Sequence, residues 1–329
     1  MAEYKGIHGT KIQNYTTDPD NPITGQVWYN ETDQVMKFQY PTTTSAWSTG
    51  GNINQDRYYV AGNGTQTSAL LYGGSYGPPY VTATFTESYN GSAWTEVNDL
   101  NTARQALSGA GADNTSALAF GGSLTPGSIL SALTESYNGT SWTEVNDLNT
   151  ARFYFAGNGT QTSALAFGGS LDPGPETGVT ESWNGTSWTE VNDLNTARKQ
   201  LAAAGTDNTS ALGFGGQVGA SPQTVTETWN GTSWSEVNDL NTGRRFLAGA
   251  GTQTSALAFG GQPTTAVTES WDGASWTEVA DLSTARFALA GAGTYTSALA
   301  FGGYDGTSLF AATEEWSSSS NTVKTITTS

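Results

Sequence analysis

The sequence predicts an all-β protein: a six-bladed β-propeller of four-stranded antiparallel blades, with a short N-terminal β-hairpin extension. Gly-Gly pairs recur six times, starting at Gly73, Gly121, Gly168, Gly215, Gly260 and Gly302. An arginine recurs in phase with them, at Arg57, Arg104, Arg152, Arg198, Arg244 and Arg286. So does a tryptophan, at Trp94, Trp142, Trp188, Trp234 and Trp276. Repeats of about 40 to 50 residues with glycine pairs and tryptophans are typical of propeller blades.

Each repeat contains four segments with the pattern of short β-strands, and the second repeat illustrates them. Its first segment, 104–111, is small and apolar, which suits a crowded innermost strand. Segment 116–122 is almost continuously apolar, as expected of a strand buried on both faces. Segments 132–139 and 141–148 alternate polar and apolar residues and meet at an Asn-Gly pair, which favours a tight hairpin turn.

These repeats divide the chain into an extension at residues 1–51 and a propeller at residues 52–329. The spacing of the repeats gives approximate blade boundaries of 52–100, 101–148, 149–194, 195–240, 241–282 and 283–329. The last repeat has no tryptophan after its third predicted strand, so another segment must complete that blade. We expect the C-terminal segment 321–329 to supply the missing strand. The alternative is segment 45–51, which aligns with the tryptophan-bearing strands.

The order of the recurrent residues resembles the kelch repeat. A Gly-Gly pair ends one strand, Glu-x-Tyr or Glu-x-Trp follows, and a tryptophan then precedes an arginine by ten residues, as from Trp94 to Arg104. The resemblance covers about 280 residues, from residue 52 to the end of the sequence. It implies six kelch-like blades around a central channel, in a ring that hides the strand edges.

Residues 23–40 predict a β-hairpin with its turn at 31–33. This segment resembles a short hairpin of bacteriophage tail and fibre proteins. Two interpretations are open: a cap packed on the propeller, or an attachment or oligomerisation element. The resemblance implies a virion or an extracellular appendage as the location. The first twenty residues lack the apolar core of a signal peptide, so a cytoplasmic location is the alternative.

Composition excludes several classes of function. Twelve Lys and Arg stand against 29 Asp and Glu, for a formal net charge of −17. Nucleic-acid binding needs a basic stripe, so we expect no nucleic-acid partner. No apolar run approaches the roughly 20 residues of a membrane span, so we expect no membrane insertion. The sequence has no cysteine and a single histidine, His8, so we expect no metal site and no cofactor.

Residues that recur in every repeat are expected to be structural. The tryptophans are expected to pack between blades. The arginines could form an anion site or pair with a recurrent glutamate, and we favour the pairs because every repeat keeps both partners. These glutamates are Glu87, Glu135, Glu181, Glu227, Glu269 and Glu314. An aspartate is expected to shape a turn through its own side chain, at Asp99, Asp147, Asp193, Asp239 and Asp281.

Positions that differ between repeats carry the functional expectation. One class is the segment between Gly-Gly and the next glutamate, and the other is the pair of residues after each arginine. Because neighbouring strands alternate in direction, both classes should emerge on one face, around the channel mouth. The predicted ligand-binding residues there are Tyr58, Tyr59, Tyr76, Tyr80, Leu124, Ile129, Phe153, Tyr154, Asp172, Glu176, Lys199, Arg245, Phe287, Tyr304 and Phe310.

These features favour a non-enzymatic binding or structural protein, with no catalytic residues. We expect a virion or appendage component that recognises a host-surface glycan or protein, or binds other subunits, with oligomerisation through the extension. One alternative is a sialidase-like or glycosidase-like enzyme, which needs paired carboxylates or a Tyr-Glu nucleophile. The non-repeated glutamates Glu3, Glu31, Glu176 and Glu315 form no convincing pair. The other alternative is a kelch-type protein-interaction adaptor.

Overall fold

The computed structural model describes residues 12–19, 25–41, 44–125, 129–171, 174–318 and 321–326. These residues form strands, turns and bends, and none of them belongs to a helix. A helix long and apolar enough to cross a membrane is therefore not found in this part of the chain. The chain divides into two compact units, Trp47–Ser317 and the combination of Met1–Ala46 with Ser318–Ser329.

The strands follow the predicted repeats closely. The first 49 residues contain β1 (Gln13–Tyr15), β2 (Val27–Asn30), β3 (Val35–Pro41) and β4 (Ala46–Thr49). Blade 1 contains β5 (Ala61–Thr65), β6 (Ser68–Tyr72), the small hairpin β7 (Ser75–Tyr76) and β8 (Val81–Thr82), β9 (Thr86–Tyr89) and β10 (Trp94–Val97). Blade 2 contains β11 (Ser108–Asp113), β12 (Ser116–Phe120), β13 (Thr134–Tyr137) and β14 (Trp142–Val145). Blade 3 contains β15 (Ala156–Thr160), β16 (Ser163–Phe167), β17 (Thr180–Trp183) and β18 (Trp188–Val191).

The remaining blades repeat this arrangement. Blade 4 contains β19 (Ala202–Asp207), β20 (Ser210–Phe214), the small hairpin β21 (Gln217–Val218) and β22 (Ser221–Pro222), β23 (Thr226–Trp229) and β24 (Trp234–Glu236). Blade 5 contains β25 (Ala248–Thr252), β26 (Ser255–Phe259), β27 (Thr268–Trp271) and β28 (Trp276–Glu278). Blade 6 contains β29 (Ala290–Thr294), β30 (Ser297–Phe301) and β31 (Thr313–Ser317), and β32 (Asn321–Thr325) follows it.

The blades close into a ring, which confirms the predicted six-bladed propeller. Within each blade the strands pair in order from the innermost to the outermost. Every innermost strand contacts the innermost strands of both neighbouring blades, and β29 contacts β5 to complete the circle. These strands are built almost entirely from glycine and alanine because larger side chains would not fit around the axis.

The expected closure of the last blade by the C-terminal segment is wrong. Strand β4 pairs with β31 as the fourth strand of blade 6, so the N-terminal alternative is the observed one. Strand β32 instead pairs antiparallel with β3 in the smaller unit, where the sheet order is β1-β2-β3-β32. The predicted hairpin is present in that sheet as β2 and β3, joined by a turn at 31–34.

A separate hydrophobic cluster fills each joint between neighbouring blades. The described residues form six such clusters, and each combines apolar residues of two adjacent blades. The recurrent tryptophan of one blade packs against the aromatic residue that ends the second strand of the preceding blade, with ring centroids 4.7 to 5.0 Å apart. Its indole N–H donates to a buried threonine of that blade, as Trp142 does to Thr86 at 3.2 Å. The tryptophans therefore hold neighbouring blades together.

The recurrent arginines form buried ion pairs with the recurrent glutamates. All six arginines are 0 % exposed, and each contacts the glutamate of its own blade at 2.6 to 3.3 Å. In blade 5, Arg244 also donates to the carbonyls of Gly260 and Val267, both at 2.8 Å. These pairs are internal to the blades, so their charges are not available to a ligand.

The Gly-Gly pair connects each blade to the next one. The second glycine donates its N–H to the carbonyl of the next blade's arginine, as Gly74 does to Arg104 at 2.8 Å. The first glycine, Gly73, has a φ of +65°, and a Cβ there would lie 2.7 Å from the same carbonyl oxygen. Only glycine satisfies both demands, so the repeat retains it.

The recurrent aspartates do not act as predicted. Instead of capping a local turn, Asp147 accepts a hydrogen bond at 2.9 Å from the backbone N–H of Thr134, thirteen residues earlier. The equivalent aspartates make the same contact to the start of the third strand of their blades. The turns between the third and fourth strands of blades 1 to 4 are instead stabilised by an asparagine, as Asn138 accepts hydrogen bonds from the N–H groups of Thr140 and Ser141.

Candidate functional site

The two variable classes of residues meet in every blade. The residue directly after each recurrent arginine forms an antiparallel bridge with the residue directly after that blade's Gly-Gly pair. The bridges are Tyr58 to Ser75, Gln105 to Ser123, Phe153 to Ser170, Lys199 to Gln217, Arg245 to Gln262 and Phe287 to Tyr304. Variable residues from both classes therefore share one end of the propeller axis, as the strand directions predict.

The second residue after each arginine forms a closed ring of backbone hydrogen bonds around that axis. Its N–H donates to the carbonyl of the equivalent residue in the preceding blade, at 2.6 to 3.1 Å. All six have a positive φ between 52° and 60°, although none of them is glycine. The ring consists of Tyr59, Ala106, Tyr154, Gln200, Phe246 and Ala288. Such a backbone conformation is unfavourable for ordinary residues, so the hydrogen-bonded ring must hold it in place.

Three aromatic side chains from this ring meet at the axis. Tyr59, Tyr154 and Phe246 come from alternate blades, and their ring centroids lie 5.1 to 5.2 Å apart in all three pairings. The cavity beside them holds only about 80 Å³. Ligand pockets usually enclose about 300 to 1,000 Å³, so a ligand would lie on these rings rather than inside the axis. Aromatic rings therefore fill the predicted channel mouth.

Further aromatic side chains surround these three. Tyr58 packs on Tyr59 with centroids 4.3 Å apart and lies within 5.5 Å of both Tyr80 and Tyr304. Phe153 packs on Tyr154, and Phe287 bridges Phe246 and Tyr304. We call this continuous set the axial aromatic surface: Tyr58, Tyr59, Tyr80, Phe153, Tyr154, Phe246, Phe287 and Tyr304. Tyr80 is its most exposed ring, at 41 %.

Four phenols of this surface have a raised pKa and remain protonated to high pH: Tyr58, Tyr59, Tyr154 and Tyr304. Burial raises the pKa of Tyr58 to about 12, and burial also raises the pKa values of Tyr59 and Tyr154. A hydrogen bond to Tyr80 and, secondarily, burial raise the pKa of Tyr304. At neutral pH the surface therefore offers neutral hydroxyl groups that can donate and accept hydrogen bonds.

Charged and amide side chains flank the aromatic rings on blades 3 to 5. Lys199 pairs with Glu176 at 2.9 Å, and both side chains are about four-fifths buried. That contact and a hydrogen bond hold the pKa of Glu176 below its usual range. Arg245 lies over the ring of Phe246, with its guanidinium carbon 5.8 Å from the centroid. The surface thus combines an apolar centre with a polar edge.

Besides the flanking charged residues, four predicted binding residues lie outside the axial aromatic surface and a fifth lies outside the described residues: Tyr76, Leu124, Ile129, Phe310 and Asp172. Tyr76 packs on Phe85 in the small hairpin of blade 1 rather than on the axial rings. Ile129 is 52 % exposed and accepts a backbone hydrogen bond from Leu124 in the blade 2 loop. The N–H of Phe310 donates to the carbonyl of Gly303. Asp172 is not among the described residues.

Sequence reasoning missed Phe246, Gln217 and Gln262 as site residues. Phe246 follows Arg245 and occupies the same repeat position as Tyr59 and Tyr154, both of which were predicted. Each of the two glutamines directly follows the Gly-Gly pair of its blade, at a position where blades 1 to 3 have serine. A comparison of each position across all six repeats identifies them.

Among the described residues, no group of three or more His, Cys, Asp or Glu side chains is arranged to hold a metal ion. No protein-family model matches the chain, and no curated protein is similar to it at a significant level. The arrangement of the axial residues therefore carries the functional argument.

Proposed function

We propose that this protein is a non-enzymatic recognition protein that binds a glycan on its axial aromatic surface. The observation that carries the proposal is that the constant and the variable positions of each repeat have different roles. The constant arginine, glutamate and tryptophan are buried in contacts within and between blades. The variable positions instead supply eight aromatic rings that gather around one end of the axis. Tyr80 is exposed, Phe287 is buried and the other six rings are partly buried, so the set is a packed aromatic cluster with an exposed edge. Clustered aromatic residues are characteristic of interaction sites.

The chemistry of the surface suits a sugar. A sugar ring has an apolar face that can lie on aromatic rings and a rim of hydroxyl groups that needs hydrogen-bond partners. Five tyrosine hydroxyls belong to the surface, and the amides of Gln217 and Gln262 flank it. Aromatic rings with a few placed polar groups are typical of small-ligand sites.

Binding without hydrolysis is supported by the disposition of the carboxylates. The six recurrent glutamates are engaged by arginines inside the blades. Of the described carboxylates near the axial surface, Glu176 of blade 3 pairs with Lys199 of blade 4, and Asp305 of blade 6 accepts two turn hydrogen bonds. A glycosidase needs two carboxyls that are free to act on one bond, whereas each of these two is held by other partners, on different blades.

We further propose that the protein is a component of a virion or a surface appendage. This part rests on the resemblance of the N-terminal hairpin to hairpins of phage tail and fibre proteins, and the kelch-like repeats fit a display role. Co-purification of the chain with assembled particles or filaments tests it. Recovery of the chain only as a free protein would contradict it.

A glycan array with the purified full-length chain tests the recognition function. We expect specific glycans to bind, and Tyr80→Ala to weaken the binding of each hit by about 10- to 100-fold, as truncation of a central aromatic contact does. Tyr76→Ala is the matched control, because Tyr76 lies in the same loop but outside the axial aromatic surface. Absence of any glycan ligand, or equal effects of both variants, would overturn the glycan assignment. A protein partner lost in Tyr80→Ala would replace the glycan with a protein.

A further inference from the structure

The basic residues of the propeller are distributed unevenly. Residues 47–317 contain the six recurrent arginines and two other basic residues, Lys199 and Arg245. The recurrent arginines are completely buried in ion pairs with glutamates. The two remaining basic residues of this unit lie beside the axial aromatic surface. The chain as a whole has a net charge of −17, so positive charge here is exceptional.

Lys199 and Arg245 occupy the same repeat position in neighbouring blades. Each directly follows the recurrent arginine, and each bridges to a glutamine, Gln217 in blade 4 and Gln262 in blade 5. The corresponding residues of the other blades are uncharged: Tyr58, Gln105, Phe153 and Phe287. Two adjacent blades thus bring positive charge to one side of the axial surface.

Neutral partners hold the guanidinium of Arg245. Its Nε donates to Oε1 of Gln262 at 3.0 Å, and its Nη1 donates to Oε1 of Gln217 at 2.5 Å. The amide of Gln217 is itself oriented, because its Nε2 donates to the carbonyl of Gly219. The two amides fix the position of the guanidinium without neutralising its charge.

Arg245 has no carboxylate partner among the described residues. The side chain is only partly buried, so its remaining N–H groups are open to a ligand. Its charge also reaches the axis, where it acts to lower the pKa of Tyr59 against the larger effect of burial. Lys199 differs, because it pairs with Glu176 at 2.9 Å and therefore attracts an anion less strongly than Arg245 does.

We propose that Arg245, held by Gln217 and Gln262 and assisted by Lys199, is an anion subsite for an acidic substituent of the bound glycan. The inference rests on the proposed glycan-binding function and names the ligand class: a sugar that carries a carboxylate or a sulfate ester. A guanidinium donates two parallel N–H groups to a carboxylate or sulfate, which gives such a contact both strength and direction. The acidic remainder of the protein repels anions, so this subsite selects where they bind.

The test uses an array of carboxylated, sulfated and neutral oligosaccharides that share backbones, such as oligogalacturonate and its methyl ester. We expect acidic glycans among the hits, and about 10- to 100-fold weaker binding after their acidic groups are esterified or removed. Arg245→Gln is expected to abolish this difference while binding of the neutral forms is retained. Lys199→Gln should have a smaller effect, because Glu176 already pairs with Lys199. Arg245→Lys should restore only part of the affinity, because lysine lacks the planar fork.

The outcomes separate this inference from the proposed function. Hits that bind equally with and without the acidic group, and equally to Arg245→Gln, would overturn the anion subsite and leave glycan recognition intact. Absence of glycan hits altogether would overturn both. Comparison of the carboxylated and sulfated arms identifies which anion the subsite prefers. A thermal unfolding curve of Arg245→Gln that matches the wild type excludes loss of the fold as the cause.

Discussion

The indole N–H of Trp47 donates to the hydroxyl of Thr268 at 3.0 Å, although 221 residues separate them in the sequence. The same contact joins the other blades, and Trp47 takes the tryptophan position that the sixth repeat lacks. Its ring lies 5.0 Å from that of Phe259, like the other recurrent tryptophans on their partners. The segment before the first repeat thus completes the last blade, and the ends of the ring are joined by side-chain packing as well as by strand pairing.

Truncation of Trp47 is expected to open this joint. Trp47→Ala should lower the free energy of unfolding by about 3 kcal/mol, at the lower end for tryptophan because the side chain is partly exposed. Trp47→Phe keeps the ring contact and loses only the hydrogen bond, so we expect about 1 kcal/mol. Denaturant unfolding measures both values, and amide hydrogen exchange should rise first in β31. Unchanged protection of β31 in Trp47→Ala would contradict the closure.

Two adjacent arginines are expected to respond in opposite ways to mutation. Arg244 is completely buried beside Glu269 at 2.8 Å, whereas Arg245 lies at the axial surface. Arg244→Met leaves a buried glutamate without its partner and should destabilise the protein by about 3 to 5 kcal/mol. The double variant Arg244→Met/Glu269→Leu should recover most of that loss, because no unpaired charge remains.

Arg245→Gln is the matched control for Arg244→Met and should change the free energy of unfolding by no more than about 0.5 kcal/mol. Denaturant titrations of the three variants measure these differences. Equal destabilisation by Arg244→Met and Arg245→Gln would show that the assignment of internal and surface roles is wrong.

A methyl group on the innermost strand of blade 6 is expected to disturb the ring. A Cβ at Gly291 would lie 2.6 Å from the carbonyl oxygen of Gly249 and 2.7 Å from the ring of Phe259. Gly291→Ala should therefore cost about 1 to 3 kcal/mol through overpacking. Ala203 holds the same repeat position in blade 4, and Ala203→Gly should cost at most about 1 kcal/mol. Thermal unfolding of both variants tests the prediction, and a stabilised Gly291→Ala would refute it.

Alkaline pH is expected to weaken the fold through Tyr58. Its pKa is raised to about 12, whereas tyrosine in an unfolded chain ionises near pH 10. Because the folded state favours the protonated phenol, this contribution to stability is complete below about pH 10 and is lost as the pH rises towards 12. Tyr58→Phe should reduce the loss of stability over that range. Denaturant unfolding at several alkaline pH values measures it, with phenolate absorbance as the readout of ionisation. Identical slopes for wild type and variant would argue against a buried phenol.

Much of the fold was predictable because its repeated residues are also its structural ones. Gly-Gly and tryptophan recur in phase because every joint between blades needs the same contacts, and arginine and glutamate recur because every blade contains the same internal ion pair. Their spacing therefore predicts the number of blades and the four-strand pattern. The aromatic site was predictable in part, because positions free of structural demands vary between repeats. Phe246 and the two glutamines were missed because their roles depend on neighbours from other blades.

Closure of the ring was not predictable in the same way. Both Ala46–Thr49 and Asn321–Thr325 have the composition of strands, and strand propensity does not specify a partner. Trp47 favours the first segment because only a tryptophan completes the contact with Thr268 and Phe259. The recurrent aspartates were misassigned for a related reason, since their partner is thirteen residues away across a strand pair rather than in the local turn.

The sequence by itself determined the six repeats, the four strands of each repeat and the residues that join neighbouring blades. Strand patterns are local, and contacts that recur in every blade require the same residues at a regular spacing. Only the tertiary structure decided which terminus closes the ring and which side chains meet at the axis. Both depend on residues far apart in the chain, such as Tyr59, Tyr154 and Phe246 from alternate blades, whose proximity arises only when the ring is closed.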